Sequence, residues 1–283
     1  MVPVMISAIV PVLNGMPWLE DQLRALAAQQ CDDEWEVVVA DNGSTDASLL
    51  VARQWADRDH RIRWIDASSV PGASAARNAG VRAARGDQLA FCDADDIVHP
   101  GWLASCARAL GTFDVVAGIF DFWSLNGHEA LPPVPASMQQ YSFLPAGLSA
   151  NLAVRRGAFE AVGGFSQELV TGEDIDLCWR LQTEGFRFAV EDGAVVSKRG
   201  RPGFVEVFRQ GSAFGRGGPV LYRRHRGAGA RRNLVGAAKS WLWLVVRVPL
   251  LFKSPAERNQ WARAAGVRTG RLVGSVRERV FFP

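Results

Sequence analysis

Two short acidic stretches carry the side chains best suited to chemistry. Asp93-Ala94-Asp95-Asp96 follows the apolar run Gln88–Cys92, and Glu173-Asp174 follows Gly172 at the start of a segment with helical spacing. Clustered carboxylates offer hard oxygen ligands to a divalent cation such as Mg2+ or Mn2+, which commonly bridges one or two carboxylates to substrate phosphates. Taken alone, the first cluster reads equally as a polar turn or a helix N-cap. Glu173 and Asp174 likewise suit either a helix N-terminus, where negative charge is favoured, or proton abstraction from a substrate hydroxyl.

The elements that must position these groups follow an alternating pattern. Strands are expected at Ile6–Leu13, Trp35–Ala40, Arg61–Asp66 and Gln88–Cys92, with helices at Pro17–Gln30, Asp46–Asp57 and Ala73–Arg85. Such alternation predicts βα units feeding a mostly parallel, Rossmann-like sheet. Three strands end in polar residues: Asn14-Gly15, Asp41-Asn42-Gly43 and Asp93–Asp96. Ligands bind at that edge of open α/β sheets, so the three ends predict one acidic cleft. Asp41 could also cap its own turn, and Asp46 reads as the cap of the following helix.

Residues 101–197 are less regular. A helix is expected at Gly101–Leu110, strands at Phe113–Phe122 and Asn151–Arg156, a loop over Asn126–Pro145 and a helix over Glu173–Glu184. Phe204, Val207, Phe208 and Gly211 can share a helical face. Leu234–Phe252 is a 19-residue apolar stretch. Its length approaches a membrane span, but Lys239, Arg247 and Pro249 oppose one, and a helix lying in the membrane interface fits better. The expected division is 1–100, 101–197 and 198–283.

Charge divides along the same lines. Of the 283 residues, 1–197 hold 13 basic against 26 acidic side chains and 198–283 hold 19 against 3, although the whole chain is only +3. A basic, partly apolar tail predicts contact with an anionic membrane surface; no nucleic-acid-reading module is recognisable. Neither a G-x-G-x-x-G run directly after a strand nor a Walker-type loop is present, which argues against dehydrogenase and P-loop readings. Cys31, Cys92, Cys106 and Cys178 lack C-x-x-C pairing, and His60, His99, His128 and His225 lack ligand-like spacing and are expected on the solvated surface. The apolar N-terminus has no basic region before it and reads as a buried strand, predicting a cytoplasmic protein, peripheral on the inner face of the cell membrane.

In combination the motifs are specific. Ile9-Val10-Pro11-Val12-Leu13-Asn14-Gly15, Val38-Val39-Ala40-Asp41-Asn42-Gly43-Ser44-Thr45-Asp46, Gly72–Gly80 and Asp93–Asp96, followed by Asn151–Arg156, Val162-Gly163-Gly164-Phe165 and Gly172–Leu181, resemble a family-2 glycosyltransferase of the GT-A fold over about 5–190. The resemblance implies an α/β fold that moves a sugar from a nucleotide diphosphate donor, a UDP-sugar first, to an acceptor hydroxyl, usually with inversion and with a divalent cation. It implies that Pro11 and Asn14 shape the nucleotide pocket, that Asp41 bonds the base, and that Arg77 and Asp93 lie near ribose and diphosphate. Asp95, with Asp93, would hold the metal, Asp174 would be the general base, and Glu173 would orient the acceptor. A lipid-linked or cell-envelope glycan acceptor is expected; a catalytically silent relative and a retaining transferase are the alternatives. Two departures stand out: Ala40 replaces one carboxylate of the usual pair before Asp41, and no histidine follows the acceptor helix, where Lys198 or Arg199 is expected to supply positive charge.

Overall fold

A computed structural model describes residues 4–127, 133–139, 143–201 and 203–283. The chain forms two compact units: residues 1–138, 145–167 and 173–199, and residues 139–144, 168–172 and 200–283.

The first unit opens with β1 (Met5–Val12), α1 (Leu19–Ala27), β2 (Glu34–Asp41), α2 (Ser48–Arg58), β3 (Ile62–Asp66), α3 (Ala73–Ala83) and β4 (Gln88–Cys92). It continues through β5 (Ile97–Val98), α4 (Trp102–Leu110), β6 (Val115–Asp121), α5 (Trp123–Asn126), β7 (Val134–Pro135), β8 (Ser137–Gln139), β9 (Pro145–Gly147), β10 (Asn151–Arg155), α6 (Arg156–Ala161), α7 (Glu173–Thr183) and β11 (Phe188–Ser197). The main sheet runs β3-β2-β1-β4-β10-β6-β11-β5, with β7 on β6, while β8 and β9 pair separately. β1, β2, β3 and β4 are mutually parallel; β10 runs antiparallel to β4 and β6, and β11 is parallel to β6. The order reverses between β1 and β4, which opens a crevice outside their carboxyl ends.

Near-continuous apolar runs let the central strands be covered on both faces. Ile6, Ala8, Ile9 and Val10 of β1 and Val37–Val39 of β2 are fully buried. Leu19, Leu23 and Leu26 recur at helical spacing along α1 and enter the same core. α3 approaches β1 closely because residue 80 is glycine: a Cβ there would lie 2.5 Å from Ile9 Cγ2. Two buried polar side chains tie the core together. Glu36 accepts from Ser7 Oγ at 2.9 Å and from Arg63 Nε and Nη2 at 2.9 and 2.8 Å. Asn151 accepts from Trp102 Nε1 at 2.9 Å and donates to the carbonyls of Ile119 and Ala194.

The second unit contains α8 (Phe204–His225), α9 (Leu234–Val246) and α10 (Pro255–Arg277). Glycines four residues apart let α8 and α10 meet backbone to backbone. A Cβ at Gly215 would fall 2.2 Å from the carbonyl oxygen of Val267, and one at Gly270 would fall 2.1 Å from that of Ser212. Trp261 Nε1 donates to Leu244 O at 3.0 Å and ties α9 to α10. Ser254 and Glu257 close a capping box at the start of α10.

Several expectations change. The strand β11 and the helices α6 and α10 carry no clear period in the sequence. Part of the expected 126–145 loop is short strand, and residues 128–132 and 140–142, His128 among them, lie outside the described residues. The apolar 234–252 stretch is interrupted: α9 stops at Val246, and a 3₁₀ turn covers Val248–Phe252, because Pro249 cannot continue the helical ladder. No described helix is long and apolar enough to cross a membrane. One histidine is not solvated: His225 is buried. His99 is partly exposed, and its Nε2 is hydrogen-bonded to Ser197 Oγ at 2.7 Å beside Asp121, in a recess of about 750 Å³ lined also by Trp123 and Ser124.

Candidate active site

The polar ends of β1 and β2 are stitched into one rim. Asn14, in the left-handed region at φ 53°, accepts from the backbone of Thr45 at 2.8 Å and of Asp46 at 3.3 Å, while its own amide donates to Ser44 Oγ at 2.9 Å. Asp46 Oδ1 accepts from Ser48 N, the first residue of α2, and Oδ2 accepts from Met16 N at 3.1 Å, so it clamps the two loops together, while the cap position of α2 itself is Ala47. Pro11 is half-buried within β1 opposite Ala40. Asp41 is buried and splits its oxygens. Oδ2 accepts from the amides of Gly43 and Ser44, both at 3.2 Å, whereas Oδ1 has no partner. A buried carboxylate oxygen without a donor is costly, which is the condition expected where a ligand N–H completes the pairing.

Beyond β4, Asp93, Asp95 and Asp96 bring one carboxylate oxygen each to within 4.8 Å of the others. Arg77 Nη2 donates to Asp93 Oδ1 at 2.9 Å; Lys198 Nζ donates to Asp93 Oδ2 at 2.9 Å and to Asp96 Oδ2 at 2.6 Å. Arg199 N donates to Asp96 Oδ1 at 2.9 Å and Arg199 Nε to the carbonyl of Asp95 at 3.0 Å, with its guanidinium 3.8 Å from the centre of the Trp18 ring. Asp95 sits half-buried between them. Burial pushes the Asp93 carboxyl up, but Lys198 and Arg77 reverse this and hold it well below the usual carboxylate range. Asp96 goes the other way, to about 7, because burial and the charges of Asp93 and Asp95 outweigh Lys198. Burial disfavours the Lys198 ammonium, and Asp93 and Asp96 more than restore it, so its pKa rises above that of an ordinary lysine. Three clustered carboxylates fit the oxygen ligands that a hard divalent cation takes.

The second acidic pair opens α7. Arg77, itself buried, reaches it: Nη1 donates to Glu173 Oε1 at 3.1 Å, while Phe165 lies 5.6 Å from the guanidinium carbon. One guanidinium therefore joins the acidic turn after β4 to the start of α7. Asp174 Oδ2 accepts from Ser149 N at 3.1 Å and Oδ1 from its neighbour Ile175 N at 2.8 Å. Burial raises the Asp174 carboxyl above its ordinary value against these hydrogen bonds. Glu173 is raised to about 7 by burial and by Asp174, with Arg77 opposing. Raised carboxyls beside a guanidinium suit proton transfer near neutral pH.

A family model described as glycosyl transferase family 2 matches residues 7–157, more than half of the chain. The chain belongs to that family. It is accordingly a nucleotide-sugar glycosyltransferase. Among curated relatives it is 29% identical over 276 residues to glycosyltransferase AglE of Haloferax volcanii, covering 95% of this chain and 87% of that protein. It is 28% identical over 263 residues to the pre-mycofactocin glycosyltransferase of Mycobacterium tuberculosis, covering 85% of this chain but only 53% of that protein. The fold is similar to mannosyltransferase PcManGT from Pyrobaculum calidifontis, solved with GDP-Man and Mn2+ (TM-score 0.66, 18% identity, 95% of this chain and 86% of that one). It is also similar to S. aureus TarS 1-349 with UDP-GlcNAc (TM-score 0.57, 19% identity, 99% and 93%). The α/β architecture is that of the GT-A fold.

The expected site residues fall into three groups. Arg77, Asp93, Glu173 and Lys198 form one chain of ion pairs, which Asp96, not among the expected site residues, joins through Lys198; Asp95, Arg199 and Asp174 lie beside members of that chain in sequence; Asp41, Asn14 and Pro11 belong to β1, β2 and their ends. Three contributors were not expected from the sequence. Gln22 of α1 is fully buried, donates to the carbonyl of Asp93 at 3.0 Å and accepts from Val98 N at 3.0 Å, fixing both ends of the acidic turn. Ser149 acts through its backbone amide, and Trp18 through its ring. Only Gln22 left a trace, as a polar residue on the apolar face of α1.

Proposed function

We propose that the protein transfers a glycosyl group from a nucleotide diphosphate sugar, a UDP-sugar first, to a hydroxyl of a lipid-linked or cell-envelope acceptor, with inversion at the anomeric carbon. The observation that carries the reading is the Arg77 bridge, because it joins a carboxylate cluster suited to a donor diphosphate with a carboxylate pair suited to deprotonating an acceptor. Asp41 offers Oδ1 to the base, and the loop shaped by Asn14 and Pro11 borders it. Arg77 stands beside Asp93 toward ribose and diphosphate. Asp174 removes the acceptor proton during attack, and Glu173 orients the acceptor while keeping Asp174 poorly solvated.

Asp95 and Asp93 would hold a divalent cation, Mn2+ or Mg2+. Such an ion supplies Lewis-acid neutralisation of charge on the departing diphosphate. Lys198 and Arg199 add positive charge beside the same turn. The relatives solved with GDP-Man and Mn2+ or with UDP-GlcNAc support the choice of donor and ion.

The second unit is the proposed membrane-facing part. Leu242, Val245, Val246 and Phe252 are 63–87% exposed, and Arg231, Arg232, Lys239 and Arg247 are exposed around them. An apolar face ringed by cations suits anionic lipid headgroups. This reading places the protein in the cytoplasm, peripheral on the inner face of the membrane. The expected division at residues 100 and 197 becomes, in functional terms, a donor half, an acceptor half and a basic anchor.

A thermal-shift screen of nucleotide sugars with and without Mn2+ tests the donor, since a ligand that binds only the folded state raises apparent stability by mass action. A shift with UDP-sugars that grows with Mn2+ is expected; none with any nucleotide sugar contradicts the reading. The anomeric configuration of the product by NMR separates inversion from retention.

A further inference from the structure

We propose that Lys198 is a built-in counter-ion of the Asp93–Asp95–Asp96 cluster, one that keeps a divalent cation from binding tightly until a nucleotide diphosphate draws its ammonium away. The inference rests on the metal-dependent donor reading above and concerns the order in which that site is filled.

The geometry separates what can move from what cannot. Asp96 is fully buried, with one oxygen on Lys198 Nζ and the other on the amide of Arg199, so both of its oxygens are held. Asp93 has one oxygen on Arg77 and one on Lys198. Gln22 holds the carbonyl of Asp93, and Arg199 Nε holds that of Asp95, so the main chain of the turn is pinned on both sides. Lys198 is anchored at its backbone, where its amide donates to the carbonyl of Asp121 at 2.8 Å, but its ammonium sits at the end of four methylenes. Phe120 lies 5.8 Å from Nζ.

The type of cation matters. Arg77 presents a planar fork to two carboxylates and is suited to stay in place, whereas a lysine ammonium is a mobile point charge with rotatable donors. In the free protein a divalent ion at Asp93 and Asp95 must displace the Lys198 ammonium or sit against it. A diphosphate supplies negative oxygens that can take over the ammonium and, at the same time, complete the ion's shell. Ion and diphosphate binding are then coupled, and the coupling is reciprocal.

The test is Mn2+ binding followed by electron paramagnetic resonance on the full chain, without turnover. Wild type is expected to bind Mn2+ weakly alone and on the order of ten- to a hundred-fold more tightly with UDP. Lys198→Met and Lys198→Gln, checked for native circular dichroism, are expected to bind Mn2+ alone about ten-fold or more tightly than wild type, with less added by UDP. Lys198→Arg keeps the charge and is expected to keep the ion out, while its fork releases less readily and UDP promotes binding less. Neutral variants that bind Mn2+ alone no more tightly than wild type overturn the counter-ion role, even if UDP recruits the ion normally. Wild-type Mn2+ binding that no nucleotide diphosphate improves overturns the release step and the metal-dependent donor reading with it.

Discussion

Arg77 and Glu173, 96 positions apart in the chain, are joined by a 3.1 Å ion pair, and the same guanidinium holds Asp93 at 2.9 Å. The pair is buried, so its geometry and not its charge alone sets its worth. Removing one partner of such a network leaves the others desolvated and unpaired. Arg77→Met is expected to cost about 3–5 kcal/mol of stability, read as a lowered midpoint in urea, and to abolish transfer. Arg77→Lys is expected to retain part of the stability but little activity, because an ammonium cannot span two carboxylates as a fork does.

The acidic limb of the pH–rate profile follows from Glu173 and Asp174. A general base works only when deprotonated, and both carboxyls are raised in the folded protein, Glu173 to about 7. Activity is therefore expected to fall with acid at a pH above the ordinary carboxylate range, because the base Asp174 is raised and its neighbour Glu173 takes up a proton at about 7. The two titrate as a pair. Glu173→Gln removes the neighbouring negative charge and is expected to move the limb to lower pH while transfer persists. An unmoved limb in that variant separates Glu173 from the titration.

Gln22 offers a test of how the acidic turn is held. Gln22→Leu keeps the volume of the α1 face but leaves the carbonyl of Asp93 and the amide of Val98 without their partner. Each such buried group costs about 1–3 kcal/mol. A lowered thermal midpoint together with weaker nucleotide-sugar binding is expected; loss of stability with unchanged donor affinity would assign Gln22 to the core alone.

The exposed apolar face of α9 and the turn after it make a separate prediction. Leu242→Glu with Val246→Glu replaces two side chains that are each 63% exposed, so folding is expected to be unaffected. Flotation with anionic liposomes is expected to be lost in the double variant and to weaken with salt in the wild type. Equal flotation of both proteins contradicts the membrane assignment.

Much of the first unit was legible because local and long-range requirements agree there. The apolar runs of β1, β2 and β4 each end in residues whose side chains bond the loops, so strand, turn and site were written in consecutive positions. Asp93 and Asp95 were visible for that reason, and Asp174 through the Gly172-Glu173-Asp174 block at the start of α7. The strand β11 was not, because Glu191-Asp192-Gly193 interrupts its apolar pattern where its pairing with β6 shifts register. The pairing of Lys198 with Asp93 and Asp96 spans more than 100 positions and depends on β11 lying beside β6 and β5, so the sequence suggested only a nearby positive charge. Histidine environments failed for a related reason: burial of His225 depends on how the helices of the second unit pack, which no local spacing records. α10 hid because glycine and arginine dilute its period, although those glycines are what allow α8 to approach.

Donor turnover by Asp174→Asn tests the account most directly. The substitution preserves size and keeps an oxygen for one of the two backbone amides that Asp174 accepts from, Ser149 N and Ile175 N, so nucleotide-sugar binding is expected to survive. Loss of the base is expected to reduce transfer by about 10²–10⁴-fold in a single-turnover assay with a UDP-sugar and Mn2+. Donor binding intact with transfer reduced to that degree is the predicted result; transfer at the wild-type rate would contradict the assignment of Asp174 as the base.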